Sequence, residues 1–285
     1  MTYQTLISPR ELQPLLASPT PPLLLDASHD LFDSKLGRLT YDTGHLPGAH
    51  FVSMERDMGG VRNGQNGRHP LPSRDDVVAW LRKLGANNDQ QIVVYDQCEG
   101  SFASRVWWTI KWLGHANVAV LDGGASAWRA DGLPMTQDQP AIQAEGDFSD
   151  RGVAMPTVSY EDLLENLESK KYLVIDARSE DRFRGENETL DPVGGHIPGA
   201  ISRFYKHNLN PDGTFKSIEQ LKEEFTAAAS GRQAQAMVMQ CGSGVSACHN
   251  LLALERIGFG VAPLYIGSWS EWCSRADAPI ATGPA

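Results

Sequence analysis

The sequence has no apolar run approaching the roughly 18 residues that span a membrane. Its start, Met1-Thr-Tyr-Gln, lacks the basic and apolar regions of a secretory signal. Cysteine is scarce: four in 285 residues make no disulfide framework and fit a reducing compartment, so the cytoplasm is expected. Positive charge is also short. Twenty-five Lys and Arg stand against 35 Asp and Glu, a formal net charge of −10, which argues against general nucleic-acid binding because that needs a basic surface. A small anionic substrate stays open, since local arginines decide that. What is present, 41% hydrophobic and 21% charged residues, is the composition of a soluble globular protein of about two domains.

Those domains are copies of each other. Leu24-Leu-Asp26-Ala27 recurs as Val174-Ile-Asp176-Ala177, and Gly44-His45-Leu-Pro-Gly-Ala49 recurs as Gly195-His196-Ile-Pro-Gly-Ala200. Gly123-Gly-Ala-Ser-Ala-Trp128 recurs as Gly267-Ser-Trp-Ser-Glu-Trp272, so three anchors repeat in the same order at nearly constant offset. Within each copy, short apolar runs such as Ile92–Asp96 and Ala236–Gln240 alternate with helical patterns such as Asp75–Leu84 and Ile218–Ala229. That alternation predicts an α/β fold, each copy a mainly parallel sheet with helices on both faces. The expected boundaries are 1–135 and 157–285, with 136–156 as a linker rich in Gln, Asp, Pro and Gly.

The segment Ala236-Met-Val-Met-Gln-Cys241-Gly-Ser-Gly-Val-Ser-Ala-Cys248 carries the chemistry. A buried strand should end at Cys241, turn through Gly242, Ser243 and Gly244, and enter a helix near Ala247. In parallel α/β sheets ligands sit beyond the carboxyl ends of strands. Backbone amides and a helix N-terminus there favour thiolate over thiol, which makes a nucleophile. A core cysteine is the plain alternative, since free Cys is among the most buried residue types. The loop glycines and the hydroxyls of Ser243 and Ser246 weigh against it. At an offset of 144 residues the first-copy counterpart of Cys241 is Gln97, so that copy lacks the nucleophile; Cys98 and Cys248 read as structural. His45 and His196 stand before Pro-Gly turns in both copies, and a structural role is expected for them.

These residues resemble the two-domain rhodanese sulfurtransferases. Tyr41-Asp-Thr-Gly-His-Leu-Pro-Gly-Ala-His-Phe-Val52 and Ala262-Pro-Leu-Tyr-Ile-Gly-Ser-Trp-Ser-Glu-Trp272 resemble the family's two signatures. The loop Cys241-Gly-Ser-Gly-Val-Ser246 is similar to that of the 3-mercaptopyruvate sulfurtransferases. The resemblance implies two tandem rhodanese-like domains, the second catalytic. It implies transfer of sulfur from 3-mercaptopyruvate, with thiosulfate as the other donor, through a persulfide on Cys241 to a thiol, a thioredoxin-like protein or cyanide. No metal or organic cofactor is needed, and a monomer is expected.

The resemblance also assigns residues. Ser243, His69 and Glu55 would form a proton relay, with Asp57 as a rival to Glu55. Gly242, Gly244, Val245 and Ser246 would cradle the sulfur. Arg182 would hold the donor's carboxylate. The second arginine of that clamp is expected near Leu190 and Asp191, where none stands, which leaves Arg184 as the substitute. The neutral loop favours mercaptopyruvate over the thiosulfate dianion. A cysteine phosphatase would need arginine after five intervening residues, where Ala247 stands. A sulfur-relay module without turnover is the non-enzyme alternative.

Overall fold

The computed structural model describes residues 2–97, 99–141 and 144–284; Cys98 lies outside them. The chain forms two compact units, one of Met1–Gly60, Pro72–Ala154 and Leu209–Phe215, the other of Val61–Leu71, Met155–Asn208 and Lys216–Ala285.

In the first unit the elements run β1 (Leu6–Ile7), α1 (Pro9–Leu16), β2 (Leu23–Asp26), α2 (Ser34–Thr43), β3 (His50–Phe51), α3 (Arg74–Lys83), β4 (Ile92–Tyr95), α4 (Ser101–Trp112), β5 (Val118–Leu121) and α5 (Gly124–Ala130). Ser8 and Glu11 close a capping box at the start of α1, and Pro9 sits where a helix has no N–H bond to lose. Strands β2, β4 and β5 are buried at every position, which a sheet covered on both faces requires. The five strands pair in parallel in the order β1-β5-β4-β2-β3. Leu24, Val93, Ala119, Leu121 and Trp128 belong to the core cluster.

The second unit repeats the plan with β6 (Thr157–Val158), α6 (Tyr160–Ser169), β7 (Leu173–Asp176), α7 (Glu180–Arg184), β8 (Ile201–Ser202), α8 (Ile218–Ala229), β9 (Met237–Gln240), α9 (Ala247–Arg256), β10 (Leu264–Tyr265) and α10 (Ser268–Trp272). Its order, β6-β10-β9-β7-β8, again parallel, is the first order carried over strand by strand. Ser159 with Asp162 and Ser217 with Gln220 cap α6 and α8. The core holds Val174, Val238, Tyr265, Trp269 and Trp272.

The paired histidines do the same work twice. His45 stacks on Tyr41 and His196 on Phe183, each at 3.8 Å between ring centres. Each Nδ1 faces a backbone carbonyl, that of Tyr41 at 2.8 Å and that of Phe183 at 2.9 Å.

Two stretches differ from the expected division. Residues 144–154 pack on the first unit: Phe148 is fully buried, and the Gly146 and Phe148 amides donate to the Arg82 and Ala86 carbonyls. Residues 61–71, read from the first half of the sequence, pack within the second unit. Gly67 there has φ +80, and a Cβ on it would come within 2.6 Å of the Gly267 carbonyl oxygen, so only glycine allows this approach. The Arg68 amide then donates to Ser270 Oγ at 3.0 Å. Among the described residues no helix is long and apolar enough to cross a membrane.

Candidate active site

Strand β9 ends at Gln240, and residues 241–246 turn the chain into α9. The loop is held from behind by the start of α10. The Trp269 amide donates to the Cys241 carbonyl at 3.0 Å and the Ser270 amide to the Gly242 carbonyl at 2.9 Å. Ser268 Oγ accepts the Cys241 N–H at 3.1 Å and donates to the Tyr265 carbonyl at 2.9 Å. Ser268 reaches this position with φ +52, a left-handed conformation that serine adopts at a cost of about 1–3 kcal/mol. Its counterpart in the first unit is Gly124, φ +58. Strain sits behind Cys241, where a side-chain hydroxyl is needed and glycine has none.

Strand register corrects the counterpart of Cys241. Asp26 pairs with Tyr95 and Asp176 with Gln240, so Cys241 corresponds to Asp96 and not to Gln97. The Asp96 carboxylate accepts the backbone N–H groups of Gly100 at 2.9 Å, Phe102 at 3.1 Å and Ala103 at 3.3 Å. Amides at this strand-to-helix turn are therefore satisfied by an anion in the first unit, as the partial positive charge of a helix start predicts.

Cys241 is 2% exposed, Ser243 4% and Val245 5%. His69 Nδ1 stands 2.8 Å from Ser243 Oγ. Over Gly242 lie two guanidinium groups: a Cβ built there would be 2.9 Å from Arg68 Nη2 and 3.5 Å from Arg182 Nη2. The loop is neutral in sequence but not in surroundings, and the second cation over it is Arg68 in place of the expected Arg184.

These cations are balanced by buried carboxylates. Arg182 donates to Glu188 through Nε at 3.0 Å and Nη2 at 2.8 Å, and its Nη2 lies 3.4 Å from Asp191 Oδ2. Arg68 pairs with Asp191. Arg178 donates to Asp176 at 2.7 Å and lies 3.5 Å from Glu188. Burial works to raise the Glu188 carboxyl, but amides of Leu190 and Asp191 together with Arg182 hold it below the usual range. Asp191 is raised, chiefly by burial, with Glu188 adding to the effect and Arg68, Arg182 and Arg178 opposing it.

Arg184 stands apart from this group. It pairs with Glu186 at 2.8 Å on an exposed stretch, and the guanidinium that accompanies Arg182 over Gly242 is that of Arg68. Arg182 and Arg184 are two residues apart on α7, about 200° around a helix, and cannot face one point. Glu55 is an exposed residue of the first unit whose charge acts on His29. Asp57, in the same unit, accepts the Ser53 amide at 2.8 Å and pairs with Arg56. Cys248 is fully buried, its Sγ 3.4 Å from the Gly244 carbonyl, and burial, with Asp191 behind it, pushes the Cys273 thiol up to about 11.

Sequence reasoning missed Arg68, Arg178, Asp191 and Ser268. Two signals were available: Arg68 adjoins His69, and Arg178 follows Asp176 at the spacing where the first copy has Ser28.

The rhodanese-like domain model matches twice, over residues 8–131 and 159–275. A probable 3-mercaptopyruvate sulfurtransferase of Pseudomonas aeruginosa is 42% identical over 99% of this chain and 100% of its own. The thiosulfate sulfurtransferase of Gallus gallus is 35% identical over 89% of this chain and 86% of its own. Among solved structures, 3-mercaptopyruvate sulfurtransferase from Leishmania major superposes with a TM-score of 0.86 at 26% identity, covering 97% of this chain and 76% of that one.

Proposed function

Because the chain belongs to the rhodanese family and is a sulfurtransferase, we propose that its preferred donor is 3-mercaptopyruvate and that Cys241 carries the sulfur between donor and acceptor. The observation that supports the donor most is the Arg68–Arg182 pair over Gly242, one residue from Cys241. Paired guanidiniums suit a planar carboxylate. Three arginines (68, 178 and 182) meet three carboxylates (176, 188 and 191), so the site carries no excess charge for a dianion. A monoanionic donor can exchange for one carboxylate without net change.

In this reading the Cys241 thiolate attacks the donor's thiol sulfur. The new S–S bond forms as the C–S bond breaks, and its electron pair leaves as the enolate of pyruvate. The persulfide S–H proton passes to the enolate carbon, giving pyruvate and Cys241–S–S⁻. The pair Ser243 and His69 is suited to carry that proton, an imidazole being the side chain that titrates nearest neutral pH. The loop amides hold the persulfide charge, as the Asp96 carboxylate is held in the first unit. A thiol acceptor then attacks the outer sulfur, leaving as RSSH and restoring the thiolate; cyanide leaves as thiocyanate. The acceptor is a small thiol or a thioredoxin-like protein, the compartment is the cytoplasm, and the working form is a monomer.

Kinetics with the two donors side by side test the assignment, with kcat/KM expected to be higher for 3-mercaptopyruvate. Arg68→Ala and Arg182→Ala should each lower it by about ten- to a hundred-fold, the loss of one charge-assisted contact. A clear preference for thiosulfate, or unchanged mercaptopyruvate kinetics in both variants, would sink the donor assignment. For the relay, Ser243→Ala and His69→Ala should each reduce kcat by about 10²- to 10³-fold. The double variant should be little worse than either single one, since the two act as a unit. Additive losses would separate their roles.

A further inference from the structure

The two carboxylates around the arginine pair are held very differently. Glu188 accepts Nε and Nη2 of Arg182 at 3.0 and 2.8 Å, and also the backbone N–H groups of Leu190 and Asp191 at 2.9 and 3.1 Å. It is built into its own loop and fixes the Arg182 fork. Asp191 is anchored differently, on side chains: its oxygens go to Arg68 and, at 3.4 Å, to Arg182. Its side chain is only 3% exposed, although a free carboxylate would gain by reaching water.

We propose that Asp191 is an internal placeholder for the donor's carboxylate. It spans the Arg68–Arg182 pair in the resting enzyme, an anionic donor must displace it, and it thereby sets the affinity for such donors. The inference rests on the reading of that pair as the donor's anion site. Three features carry it. The guanidiniums that Asp191 joins are the two that lie over Gly242, beside Cys241. Its carboxyl group has the shape and charge of the group it excludes. Burial first and the Glu188 charge second disfavour its charged form, whereas backbone amides and Arg182 favour that of Glu188, so of these two Asp191 is the less firmly held anion.

Removal of this competitor should tighten donor binding. If the pair is vacated in about one to ten per cent of molecules, the apparent dissociation constant exceeds the intrinsic one by about ten- to a hundred-fold. Asp191→Asn keeps the shape and removes the charge. In that variant the KM for 3-mercaptopyruvate should fall about tenfold, with kcat moved far less. The KM for thiosulfate should fall at least as much, because the dianion now meets one uncompensated cation. Mercaptoacetone, which replaces the carboxylate by a methyl group, should show no such gain. Calorimetric titration with pyruvate should show the same tightening without turnover.

Unchanged or weaker binding of both anions and of pyruvate would overturn the proposal. An equal gain for mercaptoacetone would do so too, since it would indicate a merely structural effect. A wild-type enzyme that uses thiosulfate but not mercaptopyruvate would defeat the donor assignment alone, because thiosulfate and pyruvate still report on Asp191. A crystal structure of the wild-type protein with pyruvate provides a reading that needs no variant. Pyruvate's carboxylate should lie on Arg68 and Arg182 with Asp191 turned away; pyruvate bound elsewhere, with Asp191 still in place, would refute the displacement.

Discussion

Cys241→Ser should abolish sulfur transfer, lowering kcat/KM by about four to six orders of magnitude, the scale on which loss of a covalent nucleophile is felt. Cys241 alone among the described cysteines ends a strand at a turn flanked by two guanidinium groups. Cys248 is sealed in α9, and Cys273 keeps its proton to about pH 11 because burial disfavours its thiolate. Mass spectrometry after treatment with donor should find one added sulfur atom, and it should map to Cys241. Serine substitutions at 98, 248 and 273 should leave transfer within a few-fold of the parent. A comparable loss in any of them would reassign the nucleophile.

Arg178→Met should be the most damaging single change to the fold of the second unit. The Arg178 and Asp176 side chains are 1% and 0% exposed, and the guanidinium also donates to the Gly195 carbonyl at 2.7 Å and lies over the Trp269 ring. Its loss strands Asp176 and weakens the cover on Glu188. Breaking a buried pair by removing one partner costs about 3–5 kcal/mol. At about 3–5 °C per kcal/mol for a unit between the 60–100 and the 150–250 residue classes, the transition of the second unit should fall by roughly 9–25 °C. Calorimetry should show this shift confined to one of two transitions, since the two units need not melt together.

The first unit indicates the pH dependence. It has Ser28 where the second has Arg178, and burial raises the Asp26 carboxyl above its ordinary value. A carboxyl whose folded pKa lies above its unfolded one loses stability as pH rises through the folded value and regains it below. A carboxylate stranded in the same way should make the deficit of Arg178→Met shrink as the pH is lowered toward the ordinary carboxylate range. A deficit that grows on acidification would mean that Asp176 is not the stranded group.

Much of this molecule was written in short-range patterns. The duplication, the alternation of apolar runs with helices and the position of Cys241 at a strand end are properties of a few neighbouring residues. Strand and helix periods and turn glycines act over that range, so the α/β architecture and the strand-end position of Cys241 could be read directly. Even Arg184 was within reach: once α7 is recognised as a helix, a two-residue spacing puts it on the side opposite Arg182.

Register and pairing were not within reach. Gln97 and Asp96 are adjacent in the chain, and only the hydrogen-bonded partners Asp26 with Tyr95 and Asp176 with Gln240 show which one matches Cys241. Arg68 and Asp191 are 123 residues apart in sequence. Their meeting depends on residues 61–71 joining the second unit and on Gly67 allowing backbone to approach Gly267. Composition counts charges but does not say which carboxylate neutralises which guanidinium, because that depends on desolvation and distance, and both exist only after the chain has folded. Local pattern fixes a two-copy α/β chain with Cys241 at a strand end; folding places the Cys241 loop beneath two arginines, each already holding a carboxylate of the protein's own.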